Sequence, residues 1–198
     1  DGTVYTFGLL SKTNKTEGCS SASSLDVTWR WSLTSVTDIH GNTITYTYYE
    51  EAKGVSNCAN EIAVYPDTIT YANGKYRAQF VREDRQDYAS SWEELDSRVL
   101  FGRKRLQKVE IQKLIEGGSW VTIRTYTLNY SNTSANQIYP RFKWRLAYYT
   151  TTLVKVTETG ADTTALETQF YYDDDQHLTK VNNGQGGEIE FTYTRRVF

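Results

Sequence analysis

Carboxylates, imidazoles and thiols are where chemistry would begin, and in this sequence they are few or scattered. The histidines are His40 and His177, in separate turn-like contexts, and no close His/Cys spacing resembles a zinc site. The run Asp173-Asp174-Asp175 can offer oxygens to Ca²⁺, yet it lacks the Gly and the distal Glu of an EF-hand loop. A solvated turn, with an Asp side chain bonding local amides, accounts for it better. The acid pairs Glu50-Glu51, Glu83-Asp84 and Glu93-Glu94 suggest a glycosidase, but adjacent residues of a strand point to opposite faces and make no facing pair. Ser and Thr are abundant without a Gly-x-Ser-x-Gly elbow, and His177 has no marked nucleophile beside it. The reading is therefore non-catalytic, with no metal and no cofactor.

Aromatic and basic residues carry the remaining binding chemistry. Trp29, Trp31, Trp92, Trp120 and Trp144, with 16 Tyr, can form a sugar-stacking platform. The competing account is cross-strand packing, favoured by the placement of Tyr46/Tyr48 and Phe191/Tyr193 at strand ends. Arg82, Arg85, Arg98, Arg103, Lys104 and Arg105 are interleaved with Glu83, Asp84, Asp87, Glu93, Glu94 and Asp96. That pattern fits ion pairs across strands and predicts a carboxylate partner for Arg82 or Arg85. A net charge of −2 gives no footprint for nucleic acid or for an anionic membrane, and no apolar run is long enough to span a bilayer.

The elements that would position these residues are strands. The composition is rich in Tyr, Phe, Trp, Thr and Val, with 2 Pro and no Met. Strict alternation marks Thr43–Tyr48, where Ile44, Tyr46 and Tyr48 share one face, and it returns in Tyr76–Val81, Val121–Tyr130, Thr168–Tyr172 and Glu188–Tyr193. The best helix candidate is a short turn over Ser90–Ser97. Turn signals lie at Asp38–Asn42, at Ala72–Lys75 with Asn73-Gly74 suited to a type I′ turn, at Glu116–Ser119, Gly160–Thr163 and Gly184–Gly187. Five hairpins follow.

These hairpins resemble one another. Leu33-x-x-Val36, Gly41 and Ile44-x-Tyr46-x-Tyr48 align with Leu178-x-x-Val181, Gly187 and Ile189-x-Phe191-x-Tyr193. Leu106-x-x-Val109 and Leu153-x-x-Val156 open two further copies. Residues 1–130 read as divergent repeats with loop insertions and 131–198 as more regular ones, within a single β-repeat domain over 1–198. Lone hairpins are marginal in water, so such units must join into a larger sheet. Cys19 and Cys58 both sit in polar, loop-like stretches. A disulfide between them, adding about 3–4 kcal/mol, and two free thiols are both compatible with the sequence.

The ordered series resembles a known family. Tyr172-Asp173 through Leu178-Thr179-Lys180-Val181, with Gly184, Gly187 and Phe191-Thr192-Tyr193, is similar to the tyrosine–aspartate (YD) repeat of Rhs proteins. Asp1–Gly8, Trp31–Asp38 and Gly41–Tyr46 resemble segments of Rhs proteins and of the B component of insecticidal toxin complexes. Phe80–Tyr88, Arg105-Leu106, Tyr126–Tyr130 and Leu153–Val156 follow in the corresponding order.

The resemblance implies a sheet that spirals into a hollow shell around a C-terminal toxin or effector. It also implies flanking repeats of the same polypeptide as partners and a secreted or cell-surface location. The Asp-Pro-x-Gly motif of family self-cleavage does not occur at Pro66 or Pro140, so that activity is not carried over. The expectation is an all-β, twisted, open-edged antiparallel sheet of successive hairpins, a structural segment of a longer protein. The alternative is a carbohydrate- or cell-surface-binding β module.

Overall fold

The alternating runs and Gly turns form a meander. A computed structural model of the chain describes residues 2–15, 25–55, 58–85, 104–134, 149–161, 165–173 and 177–194. Its strands are β1 (Val4–Lys15), β2 (Leu25–Thr37), β3 (Thr43–Val55), β4 (Cys58–Tyr71), β5 (Tyr76–Asp84), β6 (Lys104–Leu114), β7 (Trp120–Ser134), β8 (Tyr149–Gly160), β9 (Ala165–Tyr172), β10 (Leu178–Asn182) and β11 (Glu188–Glu190). They make one 11-stranded sheet in chain order, every neighbouring pair antiparallel, with β1 and β11 at open edges. The expected fold class is the observed one. The helix expected over Ser90–Ser97 lies outside the described residues.

Four of the five expected turns are present, at one end of the sheet; the fifth, Gly160–Thr163 between β8 and β9, lies partly outside the described residues. Lys75 N–H donates to Ala72 O (3.2 Å), and φ is positive at both Asn73 and Gly74, as a type I′ turn requires. One device closes two more of these turns and also the connection from β9 to β10 at the opposite end. Asp38, Asp173 and Asn183 each donate their N–H to the carbonyl four residues on, and each accepts that residue's N–H on Oδ1 (2.9, 2.8 and 2.8 Å). Asp and Asn favour such turns because the short side chain substitutes for a backbone acceptor. For Asp38, the Asn42 side chain and amide hold its carboxyl below the usual carboxylate range.

Register separates two faces. Thr45, Thr70, Arg77, Gln112 and Thr122 form one cross-strand row, and Thr47, Thr68, Gln79, Glu110 and Thr125 form the next. Lys155–Glu167 and Lys180–Glu188 are ion pairs on this polar side. Gln112 is buried there, accepting from Arg77 Nε (2.6 Å) and donating to Glu110 (2.8 Å), while Trp120 covers the Arg77 guanidinium at 4.3 Å. The opposite face carries Val36/Ile44, Tyr46/Ile69/Ala78/Ile111, Phe80/Val109/Tyr126 and Phe170/Val181/Ile189. Among the described residues with placed side chains, Ser32, Glu51 and Gln112 are the buried ones, and the described strands form one sheet with no second sheet over the apolar face.

Two details depart from the sequence reading. Cys58 does not lie in a loop: it opens β4 and pairs with Val55. Cys19 is outside the described residues, and with it the disulfide. Gly41 corresponds by turn position to Gly186 rather than Gly187. Both stand three residues after the closing Asp or Asn, with φ of +82° and +88°, and three residues before Ile44 or Ile189.

Candidate functional site

The Leu-x-x-Val spacing conflicts with simple alternation, because residues three apart in a strand point to opposite faces. The sheet resolves this with a β-bulge directly after each Leu. Leu33 pairs with Phe7 and Ser35 with Thr6, leaving Thr34 without a partner in the register. The same step skips Gln107 after Leu106, Val154 after Leu153 and Thr179 after Leu178. The extra residue turns the strand over once, so Leu and Val come to one face.

A tyrosine closes each of these points from the following strand or, for Tyr193, from three residues past the end of β11. Tyr48 Oη donates to Leu33 O (2.7 Å), Tyr130 Oη to Leu106 O (2.6 Å), Tyr172 Oη to Leu153 O (2.8 Å) and Tyr193 Oη to Leu178 O (2.9 Å). The geometry is uniform. In each hairpin the described ladder ends two residues after the Leu, at Ser35–Thr45, Lys108–Thr127, Lys155–Gln169 and Lys180–Glu190. The tyrosine then stands three residues past that last pair. Where the ladder stops, a phenol reaches across and satisfies a carbonyl that would otherwise need water or another strand.

The clasps interlock. Tyr130 of one hairpin is the register partner of Leu153 in the next, and Tyr172 is the partner of Leu178. Tyr48, which pairs with Pro66, Tyr130 and Tyr172 thus each clasp backward through the hydroxyl and pair forward through the backbone. Burial pushes the Tyr48, Tyr130 and Tyr172 hydroxyls above the usual tyrosine range, which keeps them protonated as donors. The His177 ring lies 4.9 Å from that of Tyr193, next to the Asp173 turn.

Beside the row sits a denser polar group. Tyr65 Oη donates to the buried Glu51 (3.0 Å) and accepts from Lys104 N–H (3.2 Å), and burial pushes its hydroxyl up to about 12. Arg105 bonds Glu83 (2.6 Å) and lies over the Tyr130 ring at 4.4 Å. Arg82 has its expected carboxylate, Asp67, at 2.7 Å. No group of three or more His, Cys, Asp or Glu side chains converges as a metal site among the described residues.

The sequence singled out Leu33, Val36, Gly41, Ile44, Tyr46, Tyr48, Tyr172, Asp173, Leu178, Val181, Gly187, Phe191 and Tyr193. The structure places Tyr48, Tyr172 and Tyr193 as clasp donors, Leu33 and Leu178 as acceptors, and Asp173 as a turn-closing group. Val36, Ile44, Tyr46 and Val181 share the apolar face. Tyr130 and Asn183 were missed. The Leu-to-Tyr separation varies from 15 to 24 residues with turn length, so a fixed-spacing search does not find it. Counting from the last ladder pair does. Of the tryptophans, Trp31 is 61% exposed beside exposed Tyr5 and Phe7, and Trp120 packs on Arg77. The Trp29 side chain, Trp92 and Trp144 are outside the described residues.

No family model matches the chain, and no curated protein matches it. Solved structures do share the fold. The chain matches the Photorhabdus luminescens Tc holotoxin pore with a TM-score of 0.51 at 14% identity, over 86% of its own length. It matches the TcdB2-TccC3 crystal structure with a TM-score of 0.52 at 13% identity, over 87% of its length. In each case it spans 10% of the matched chain.

Proposed function

We propose that this chain is a non-catalytic wall segment of a large Rhs/YD-repeat protein, secreted or cell-surface, whose shell encloses or presents a toxin or effector region. The observation that carries the reading is the single-layer, open-edged sheet of uniformly clasped hairpins, a fold shared with Tc toxin structures. A sheet normally buries one face against another layer. Here an apolar face built of Ile, Val, Phe and Tyr lies only half-buried, and its most exposed members cluster at the two edges: Tyr5, Phe7 and Trp31 at one, Ile189 and Tyr193 at the other. Flanking repeats of the same polypeptide, and the content of the shell, complete such a surface.

Cryo-EM of the parent polypeptide tests this. The expected result is β1 and β11 continued by neighbouring strands in a curved wall around a cavity. A closed sandwich, with the apolar face covered by this chain's own segments, would overturn it. The exposed Tyr5, Phe7 and Trp31 also support the second reading, a glycan-binding face. Titration with glycans followed by Trp fluorescence separates the two, since the wall reading expects no quenching.

A further inference from the structure

The β4–β5 hairpin looks like the exception in the row, because it has neither Leu-x-x-Val nor a clasp tyrosine. Counted from its ladder it is not an exception. The β4–β5 ladder ends at Thr68–Gln79. Two residues before Thr68 is Pro66, and three residues after Gln79 is Arg82. Arg82 Nη1 donates to Pro66 O at 2.8 Å, the same connection that each tyrosine makes to its leucine. The bulge is also there: Thr47 pairs with Thr68 and Tyr48 with Pro66, skipping Asp67. The forward pairing holds too, since Arg82 is the register partner of Leu106. Pro66-x-x-Ile69 therefore stands for Leu-x-x-Val, and the row is unbroken from Leu33 to Tyr193.

We infer that β4–β5 is a fifth copy of the clasped hairpin in which Arg82 replaces the tyrosine and Asp67, the bulged residue, is its compensating charge. The internal comparison supports the pairing. In the four tyrosine copies the bulged residue is Thr34, Gln107, Val154 or Thr179, all uncharged. Only the arginine copy places an acid there. Arg82 Nη2 reaches Asp67 Oδ1 at 2.7 Å, Nη1 also donates to Phe80 O at 3.0 Å, and the Tyr49 ring covers the guanidinium at 4.6 Å. A guanidinium brings several donors in a fixed fork where a phenol brings one, so it holds two carbonyls and the bulge together.

The consequence is a joint unlike the others. Four clasps are neutral, and this one depends on an ion pair whose acid is 38% exposed and therefore open to screening. The β4–β5 joint is the salt-sensitive point of the row.

Hydrogen exchange of the 198-residue chain at low and high NaCl tests this. Amides of 64–70 and 77–80 should exchange about two- to fivefold faster in 1 M NaCl, the range a screened exposed pair supplies, while those of 35–37 and 43–45, the uncharged ladder beside the Tyr48 clasp, do not change. Arg82→Tyr with Asp67→Thr should retain protection and abolish the salt response. Arg82→Ala should lose protection at every salt concentration. Should Arg82→Ala fail to fold, the reciprocal transplant decides: Tyr172→Arg should weaken β8–β9, and adding Val154→Asp should restore it while making that hairpin salt-sensitive. The inference is overturned if the Tyr/Thr pair is as labile as Arg82→Ala, if salt acts equally on all hairpins, or if Val154→Asp gives no rescue.

Discussion

The clasp row divides the sheet into two regions that hold together differently. Between the row and the end of the sheet marked by the turns at 38–42, 72–75, 115–119 and 183–187 every strand is laddered on both sides, except at the two edges. Past the row the hairpins β1–β2, β3–β4, β5–β6 and β7–β8 run on, each continuing its own ladder, as far as Lys15–Leu25, Val55–Cys58, Asp84–Lys104 and Ser134–Tyr149. The described ladders of β2–β3, β4–β5, β6–β7 and β8–β9 do not follow them. The first region is a continuous wall, the second a set of extensions. The difference teaches where cohesion lies: at the line where ladders stop, it has been moved into side chains.

The broadest way to break that comparison is to ionise the clasps. The folded hydroxyls of Tyr48, Tyr130 and Tyr172 lie above the ordinary value near about 10, and that of Tyr65 at about 12. Folded chain therefore holds protons that unfolded chain has released. Stability is full below about pH 10 and is lost as the pH rises through the folded values, toward about 12. Alkaline titration should show tyrosinate absorbance rising together with loss of sheet ellipticity. Ionisation of these tyrosines with the sheet intact would show that the hydroxyls do not hold the row.

Substitution narrows the question to one clasp. Tyr130→Ala removes a half-buried ring and a hydrogen bond and should cost about 2–4 kcal/mol. Tyr130→Phe removes only the donor to Leu106 O and should cost about 1 kcal/mol. Tyr126→Phe is the control, because its hydroxyl meets Arg124 at an exposed site, and should change little. Chemical denaturation of the three variants checks the order. Equal effects at 126 and 130 would remove the distinction between clasp and ordinary surface tyrosine.

Within the wall, backbone fit should matter as much as clasping. Gly184 has φ of +70°, and a Cβ there would stand 2.8 Å from Glu167 O in β9. Gly186 has φ of +88° but open space around it. Both Ala variants lose about 1 kcal/mol to the left-handed backbone, and Gly184→Ala should lose about a further 1 kcal/mol to the contact. Thermal unfolding of the two variants reads the difference, and equal shifts would mean that the turn yields freely over β9.

These contrasts also explain what could be read from sequence. The runs Thr43–Tyr48, Tyr76–Val81 and Thr168–Tyr172 lie wholly or mainly inside the wall, where one face is apolar and period two is enforced. The Gly- and Asn-marked turns lie at its rim. Leu-x-x-Val was visible as a repeat, but its cause was not, because a bulge appears in sequence only as broken alternation. Arg82 was readable as an ion-pair partner and not as a clasp, since its equivalence to Tyr48 appears only after counting from a ladder. The extension Tyr49–Val55 carries Glu50, Glu51, Lys53 and Gly54 in no period, and so its strand went unread.

That last segment offers the finest test of the comparison. Ala52 and Glu61 are register partners in the β3–β4 extension, well past the row at Tyr48–Pro66. Excising Lys53–Asn60 and joining Ala52 to Glu61 through Asn-Gly, a pair suited to a tight hairpin turn, shortens the extension and leaves the clasps Tyr48–Leu33 and Arg82–Pro66 in place. If cohesion resides in the wall, the change in stability should stay within about 0.5 kcal/mol. Exchange protection of Thr68–Tyr71 and Tyr76–Gln79 should then be unaltered. β4 also lies against β1, which gives the extension one neighbour outside its own hairpin. A loss as large as that of Tyr130→Phe would mean that this contact supports the wall, and that the boundary between the two regions falls nearer the tip than the clasp row.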